Sequence, residues 1–144
     1  MEQFLLFLQK SPFHMLLFGL AVSSGAMLVW PLVSRSFRQA NEVGTFEAVQ
    51  LINRRDALVI DVRATGDYAA GHIVNARHIP EGQLADRMKD LEKYKSRPII
   101  VSCGTGSRAS AVSGMLRKHG FAESFALRGG IAAWQQANLP LEKS

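Results

Sequence analysis

The chain has one cysteine, Cys103, and the residues after it, Gly104-Thr105-Gly106-Ser107-Arg108, alternate small side chains with turn formers. This run starts where the apolar stretch Pro98-Ile99-Ile100-Val101 ends and where a helical pattern is about to begin. Glycines at 104 and 106 let the backbone bend so that successive N–H groups converge on one point, and such a nest holds an anion. The positive end of a following helix dipole and the Arg108 guanidinium act in the same direction, favouring a thiolate over a thiol. The pattern predicts a nucleophilic cysteine at the floor of a short loop, the arrangement needed for covalent catalysis through sulfur. The competing reading is that Cys103 is a small buried hydrophobe, the usual fate of a lone cysteine. A glycine-rich loop that starts on a strand end and carries an arginine five positions on is poorly explained by packing.

The rest of the inventory narrows the chemistry. A single cysteine has no intramolecular disulfide partner. His14, His72, His78 and His119 form no ligand-spaced cluster with it, so no metal is expected. No cofactor is expected either. His72 and His78 read as structural or rim residues.

A cysteine loop of this kind needs a strand to leave from and a helix to enter. Thr45 reads as the N-cap of a helix through Phe46, Val49, Leu51 and Ile52 that ends at Asn53-Arg54-Arg55-Asp56. Ala57-Leu58-Val59-Ile60 is a buried-strand run that ends on Asp61, a carboxylate at the strand end where α/β domains place their ligands. Residues 65–71 suggest a helical turn. Glu81 to Leu91 reads as a helix with Leu84, Met88 and Leu91 on one face. Ala109 to His119 reads as a helix stopped by Gly120, Phe125 to Leu127 as a short strand, and Ile131 to Ala137 as a closing helix carrying Trp134. Strands and helices alternate, which predicts an α/β fold with a mainly parallel sheet and no internal repeat.

The front of the chain is different. A mean hydropathy of +0.03 is high for a soluble chain of 144 residues, and the excess lies in the 24 residues from Ser11 to Ser34, which hold no Asp, Glu, Lys or Arg and 15 apolar side chains. As a helix this run rises roughly 36 Å, more than the roughly 30 Å hydrocarbon core of a bilayer. A cleaved signal peptide and a buried core helix are the alternatives. The first would not require the apolar run to continue past Ser24-Gly25-Ala26, and the second would show more polar positions at helical spacing. The expected organisation is an anchor over residues 1–34 with its membrane helix at about 12–33, a polar linker over 35–44, and one domain over 45–142. Arg35 and Arg38 follow the span while Lys10 alone precedes it, a bias toward a cytoplasmic C-terminal domain. That part carries 16 of the 17 basic and 11 of the 12 acidic residues, so the whole net charge of +5 would face the anionic leaflet, and no nucleic-acid partner is expected. Gly19 with Ser23 and Ala21 with Gly25 would permit a membrane-protein partner to approach closely, although small residues are common in membrane helices anyway.

Taken in order, Asp61-Val62-Arg63, Tyr68, Gly71-His72-Ile73, Ala76, His78-Ile79-Pro80, Cys103 to Arg108, Leu127-Arg128-Gly129-Gly130-Ile131-Ala132-Ala133-Trp134 and Leu139-Pro140 resemble the single-domain rhodanese family, over about 100 residues from Thr45 to Leu141. With the apolar segment in front, the chain is similar to small bacterial membrane-anchored rhodanese-like proteins. The resemblance implies a five-stranded parallel sheet flanked by helices, preceded by one transmembrane helix of the inner (cytoplasmic) membrane. It also implies movement of sulfane sulfur, through a Cys103 persulfide, from a sulfane-sulfur donor to a thiol, cyanide or protein acceptor.

On these positions the implied roles are nucleophile for Cys103 and loop brace and added charge for Arg108. Backbone N–H groups of Gly104, Thr105, Gly106, Ser107 and Arg108 would cradle the outer sulfur. Asp61 would organise the loop from below with Arg63, or else be a structural ion pair. Related dual-specificity phosphatases place the arginine one position further on and so have a wider, phosphate-sized loop. Many rhodaneses carry a basic residue directly after the cysteine where this chain has Gly104, which implies weak affinity for thiosulfate and a persulfide as donor. A second reading keeps the fold but makes the chain a tethered module that docks a membrane or protein partner with little catalysis.

Overall fold

The structure, a computed structural model, describes residues 2–3, 6, 12–39 and 41–144. Lys10, which enters the charge bias, and Ala40 of the expected linker lie outside them. The described chain divides into two units, Met1–Arg38 and Gln39–Ser144.

The first unit is built around helix α1 (Pro12–Gln39). Its apolar side chains are exposed all round, Trp30 to 73 %, and Pro12–Ser36 is long and apolar enough to cross a bilayer. The hydroxyls of Ser23, Ser34 and Ser36 donate to the carbonyls of Leu20, Pro31 and Leu32 at 3.0–3.2 Å, so these side chains are satisfied within the helix itself.

The second unit holds β1 (Glu42–Val43), α2 (Thr45–Arg55), β2 (Leu58–Asp61), α3 (Thr65–Ala70), β3 (His72–Ile73) and β4 (Arg77–His78). After two 3₁₀ segments come β5 (Ile99–Ser102), α4 (Ser107–Lys118), β6 (Ser124–Leu127), α5 (Gly130–Gln136) and β7 (Leu141–Glu142). Five strands form one parallel sheet in the order β1-β6-β5-β2-β4, flanked by helices as expected. Every residue of β2 and β5 is buried, which is why both read as apolar runs up to their last residues, Asp61 and Ser102.

Side chains alternate between two cores, as the two-residue strand period demands. Ile99, Val101 and Cys103 pack with Leu84, Leu91, Val112 and Leu116 on one face, whereas Ile100 packs with Ala48, Val59, Ile131 and Trp134 on the other. Because the strands are parallel, Asp61, Ser102 and Leu127 end at one edge of the sheet, with Asp61 paired to Ser102. The loop after β5 therefore emerges between the loops after β2 and β6.

Several boundaries differ from the sequence reading. Residues 35–39, expected as linker, continue α1, and Glu42–Val43 is an edge strand on β6. An edge position asks only for one inward side chain, Val43, so a polar run suffices. Gly44, not Thr45, occupies the N-cap of α2. The helix expected over Glu81–Leu91 is replaced by 3₁₀ segments, Glu81–Gln83 and Met88–Tyr94, with bonds such as Leu84 N–H to Glu81 C=O. Leu84, Met88 and Leu91 are buried as expected, since their spacing suits either geometry; Gly82 in the first turn weakens the α-helical alternative. An antiparallel β3–β7 ribbon, with His72 opposite Glu142, has no counterpart in the sequence reading. The Gly120 stop is seen in detail: Gly120 has φ +95°, and the N–H groups of Gly120 and Phe121 bond the carbonyls of Arg117 and Leu116 in a Schellman pattern.

Candidate active site

Cys103 is the first residue beyond β5 and is 3 % exposed. Its Sγ accepts a hydrogen bond from the Gly106 N–H at 2.9 Å, the kind of donor an anionic sulfur needs. The loop is shorter than the sequence reading placed it: α4 starts at Ser107, two residues before Ala109, so Ser107 and Arg108 form its first turn. Their small or charged side chains break the apolar periodicity that marks the rest of the helix. Gly106, at φ +98°, makes the left-handed turn into the helix, whereas Gly104 lies outside that region and a side chain there would meet open space.

A second loop fixes the first. The Ile131 and Ala132 N–H groups donate to the carbonyls of Cys103 and Gly104 at 2.9 and 3.3 Å. Gly130, the first residue of α5, sits at φ +57°; a Cβ there would collide with the Cys103 carbonyl oxygen and come within 2.9 Å of the Gly104 carbonyl carbon. A Cβ on Gly106 would in turn press on the Gly129 nitrogen at 3.1 Å. The glycine pair was visible in sequence, but its function as the seat of the cysteine loop was not.

Asp61 is fully buried and its carboxylate is taken up by Arg63. Oδ1 accepts from the Arg63 backbone N–H and Nε, both at 3.0 Å, and Oδ2 from Nε and Nη2 at 3.1 and 2.7 Å. Arg63 Nη2 also donates to Gly71 O at 2.6 Å. Among the described residues no hydrogen bond of the Asp61 carboxylate reaches the cysteine loop. The pair ties the chain after β2 to the end of α3. Arg63→Ala should therefore strand a buried carboxylate and cost about 3–5 kcal/mol, read as a lowered midpoint in urea unfolding. Beside this pair, the Tyr68 ring stacks between His72 and His78, at 3.8 and 4.4 Å between centroids. Burial, and then the charges of Glu142 and Asp61, raise the Tyr68 pKa, so its hydroxyl stays a donor to Ala76 O at 2.9 Å.

Cys103 opens on a cavity of about 370 Å³. Gly104, Thr105, Ser107 and Arg108 line it from the cysteine side, and Val62, Arg63, Ala64 and Asp67 from the β2–α3 side. All the expected site residues thus line the cavity except Gly106, whose N–H bonds the sulfur, and Asp61, which is buried and paired with Arg63. Asp67 was missed, because an acidic residue in a helical first turn reads as an ordinary solvated dipole partner. Among the described residues no three His, Cys, Asp or Glu side chains gather as a metal ion would require.

Comparison with known proteins gives a consistent picture. The family described as Rhodanese-like domain matches residues 46–137. The uncharacterized protein YibN of Escherichia coli K12 is 40% identical over 96 residues, 66% of this chain and 67% of that protein. Thiosulfate sulfurtransferase GlpE of Pseudomonas fluorescens is 34% identical over 91 residues, 62% of this chain and 80% of that protein. The crystal structure of a rhodanese-related protein from Thermoplasma volcanium superposes with a TM-score of 0.65 at 25% identity, covering 72% of this chain and 99% of that one.

Proposed function

The chain belongs to the rhodanese-like domain family, and from that premise we propose that it is a membrane-anchored sulfurtransferase working through a persulfide on Cys103. The observation that carries the proposal is a single buried sulfur at the floor of an open cavity, with a backbone N–H aimed at it. In the first step the Cys103 thiolate attacks the outer sulfur of R–S–SH. A bond forms between Sγ and that sulfur, the donor S–S bond breaks, and its electron pair leaves on R–S⁻. In the second step an acceptor thiolate attacks the same outer sulfur and restores the Cys103 thiolate. Neither step needs an external oxidant or reductant.

The protein's part is to hold charge in place. The Gly106 N–H already bonds Sγ, and the neighbouring N–H groups of Gly104 to Arg108 supply the cradle for the outer sulfur. Arg108 adds positive charge at the mouth, and Arg63, held by Asp61, shapes the opposite wall. Residues 1–34 anchor the domain of residues 45–142 as a single span of the inner membrane, and the two arginines after the span favour a cytoplasmic domain. A reduced compartment also keeps Cys103 free to act.

The direct test is turnover. Purified chain in detergent should transfer sulfur from a persulfide donor to a thiol acceptor at a rate proportional to enzyme; a rate equal to the enzyme-free background would leave a docking module as the better reading. Thiosulfate should be a poor donor because nothing basic follows Cys103. Since a side chain at 104 meets open space, Gly104→Lys should fold normally and lower the KM for thiosulfate several-fold, about 1 kcal/mol for one added exposed charge. An unchanged KM would show that charge at this position does not set donor choice.

A further inference from the structure

The charges around the cavity point to a more specific substrate. Arg63 is already neutralised by Asp61, so it offers an incoming ligand little net charge. The remaining charged groups of the lining are Arg108 on the cysteine side and Asp67 on the opposite side, both exposed and neither with an ion pair or side-chain hydrogen bond among the described residues. One positive and one negative group thus face the entrant from different walls. A dianion such as thiosulfate gains from Arg108 what it loses to Asp67. A small ligand carrying both a carboxylate and an ammonium group beside its sulfur can satisfy both walls at once.

We infer that the cavity selects amphoteric donors, persulfides of cysteine-type amino-acid thiols, with Arg108 receiving the carboxylate and Asp67 the ammonium group. The inference rests on the sulfurtransferase reading and adds to it a specificity residue, Asp67, that sits outside the cysteine loop. The reaction is unchanged: Sγ takes the outer sulfur and the amino-acid thiolate leaves with the electron pair.

The test uses four donors with the purified full chain: cysteine persulfide, which carries both charges; 3-mercaptopropionate persulfide, which lacks the ammonium; cysteamine persulfide, which lacks the carboxylate; and thiosulfate. Single-turnover loading of Cys103 is followed by intact mass at sub-saturating donor. Wild type should load fastest from cysteine persulfide. Asp67→Asn should slow cysteine and cysteamine persulfides about threefold to fivefold, the range of an exposed ion pair, and should leave 3-mercaptopropionate persulfide and thiosulfate unchanged or faster. If Asp67→Asn alters all four donors by one common factor, or alters none, charge selection by Asp67 is wrong while the sulfurtransferase reading stands. If no donor loads the wild-type protein, both fall together.

Discussion

Cys103→Ser is expected to reduce sulfur transfer at least a thousandfold, to about the rate without enzyme, the order of loss seen when a covalent nucleophile is removed. Serine keeps an acceptor for the Gly106 N–H and fills nearly the same buried space, so stability should change by no more than about 1 kcal/mol. Its hydroxyl, however, is neither ionised in such a site nor able to carry a second sulfur as a persulfide. The expected pattern is therefore an unchanged unfolding midpoint together with lost turnover. Retained turnover in Cys103→Ser would mean that the reaction does not pass through this sulfur. Lost turnover with a collapsed fold would instead make Cys103 chiefly a packing residue, as its place in the core beside Ile99, Val101 and Val112 would allow.

Gly130→Ala should be nearly as damaging to activity although residue 130 contributes no side chain to the chemistry. Alanine there meets two penalties. The left-handed φ of +57° costs about 1–2 kcal/mol for any residue with a Cβ. The Cβ would also collide with the Cys103 carbonyl oxygen, and the backbone cannot yield without loosening the Ile131 and Ala132 bonds to the cysteine loop. Together these predict a loss of about 2–4 kcal/mol in chemical denaturation. A shift of about 1 Å in the loop carrying the nucleophile predicts a fall of about a hundredfold in kcat/KM. Gly104→Ala is the control: its Cβ meets nothing within 4 Å, so it should retain the fold and most of the activity. Equal damage from both substitutions would show that the loop itself, not its seat on the β6–α5 turn, is the sensitive element.

What could be read from sequence follows the physics of each element. Ala57–Ile60 and Pro98–Val101 announced themselves because a strand covered on both faces must be apolar throughout. Glu42–Val43 and Arg77–His78 did not, because strands of two residues at the sheet edges receive their hydrogen bonds from neighbours distant in sequence and carry no pattern of their own. The β3–β7 ribbon was equally silent, joining His72 to Glu142. In the site, the types and spacing of Cys103 to Arg108 were enough to suggest an anion-holding loop. The partner loop that seats it was not legible, since a glycine that admits another backbone looks in sequence like any turn glycine. Asp61 shows the opposite limit: its position at a strand end was informative, but only the geometry shows its carboxylate wholly engaged by Arg63.

The central claim is that sulfur rests covalently on Cys103 between donor and acceptor. Intact-mass analysis of the purified full chain, taken after incubation with a persulfide donor and again after addition of a thiol acceptor, tests it most directly. The expected result is a gain of one sulfur atom on wild type that is absent in Cys103→Ser and is removed by the acceptor. An unmodified wild-type mass under conditions where the donor remains intact, or a sulfur that the acceptor leaves in place, would contradict it.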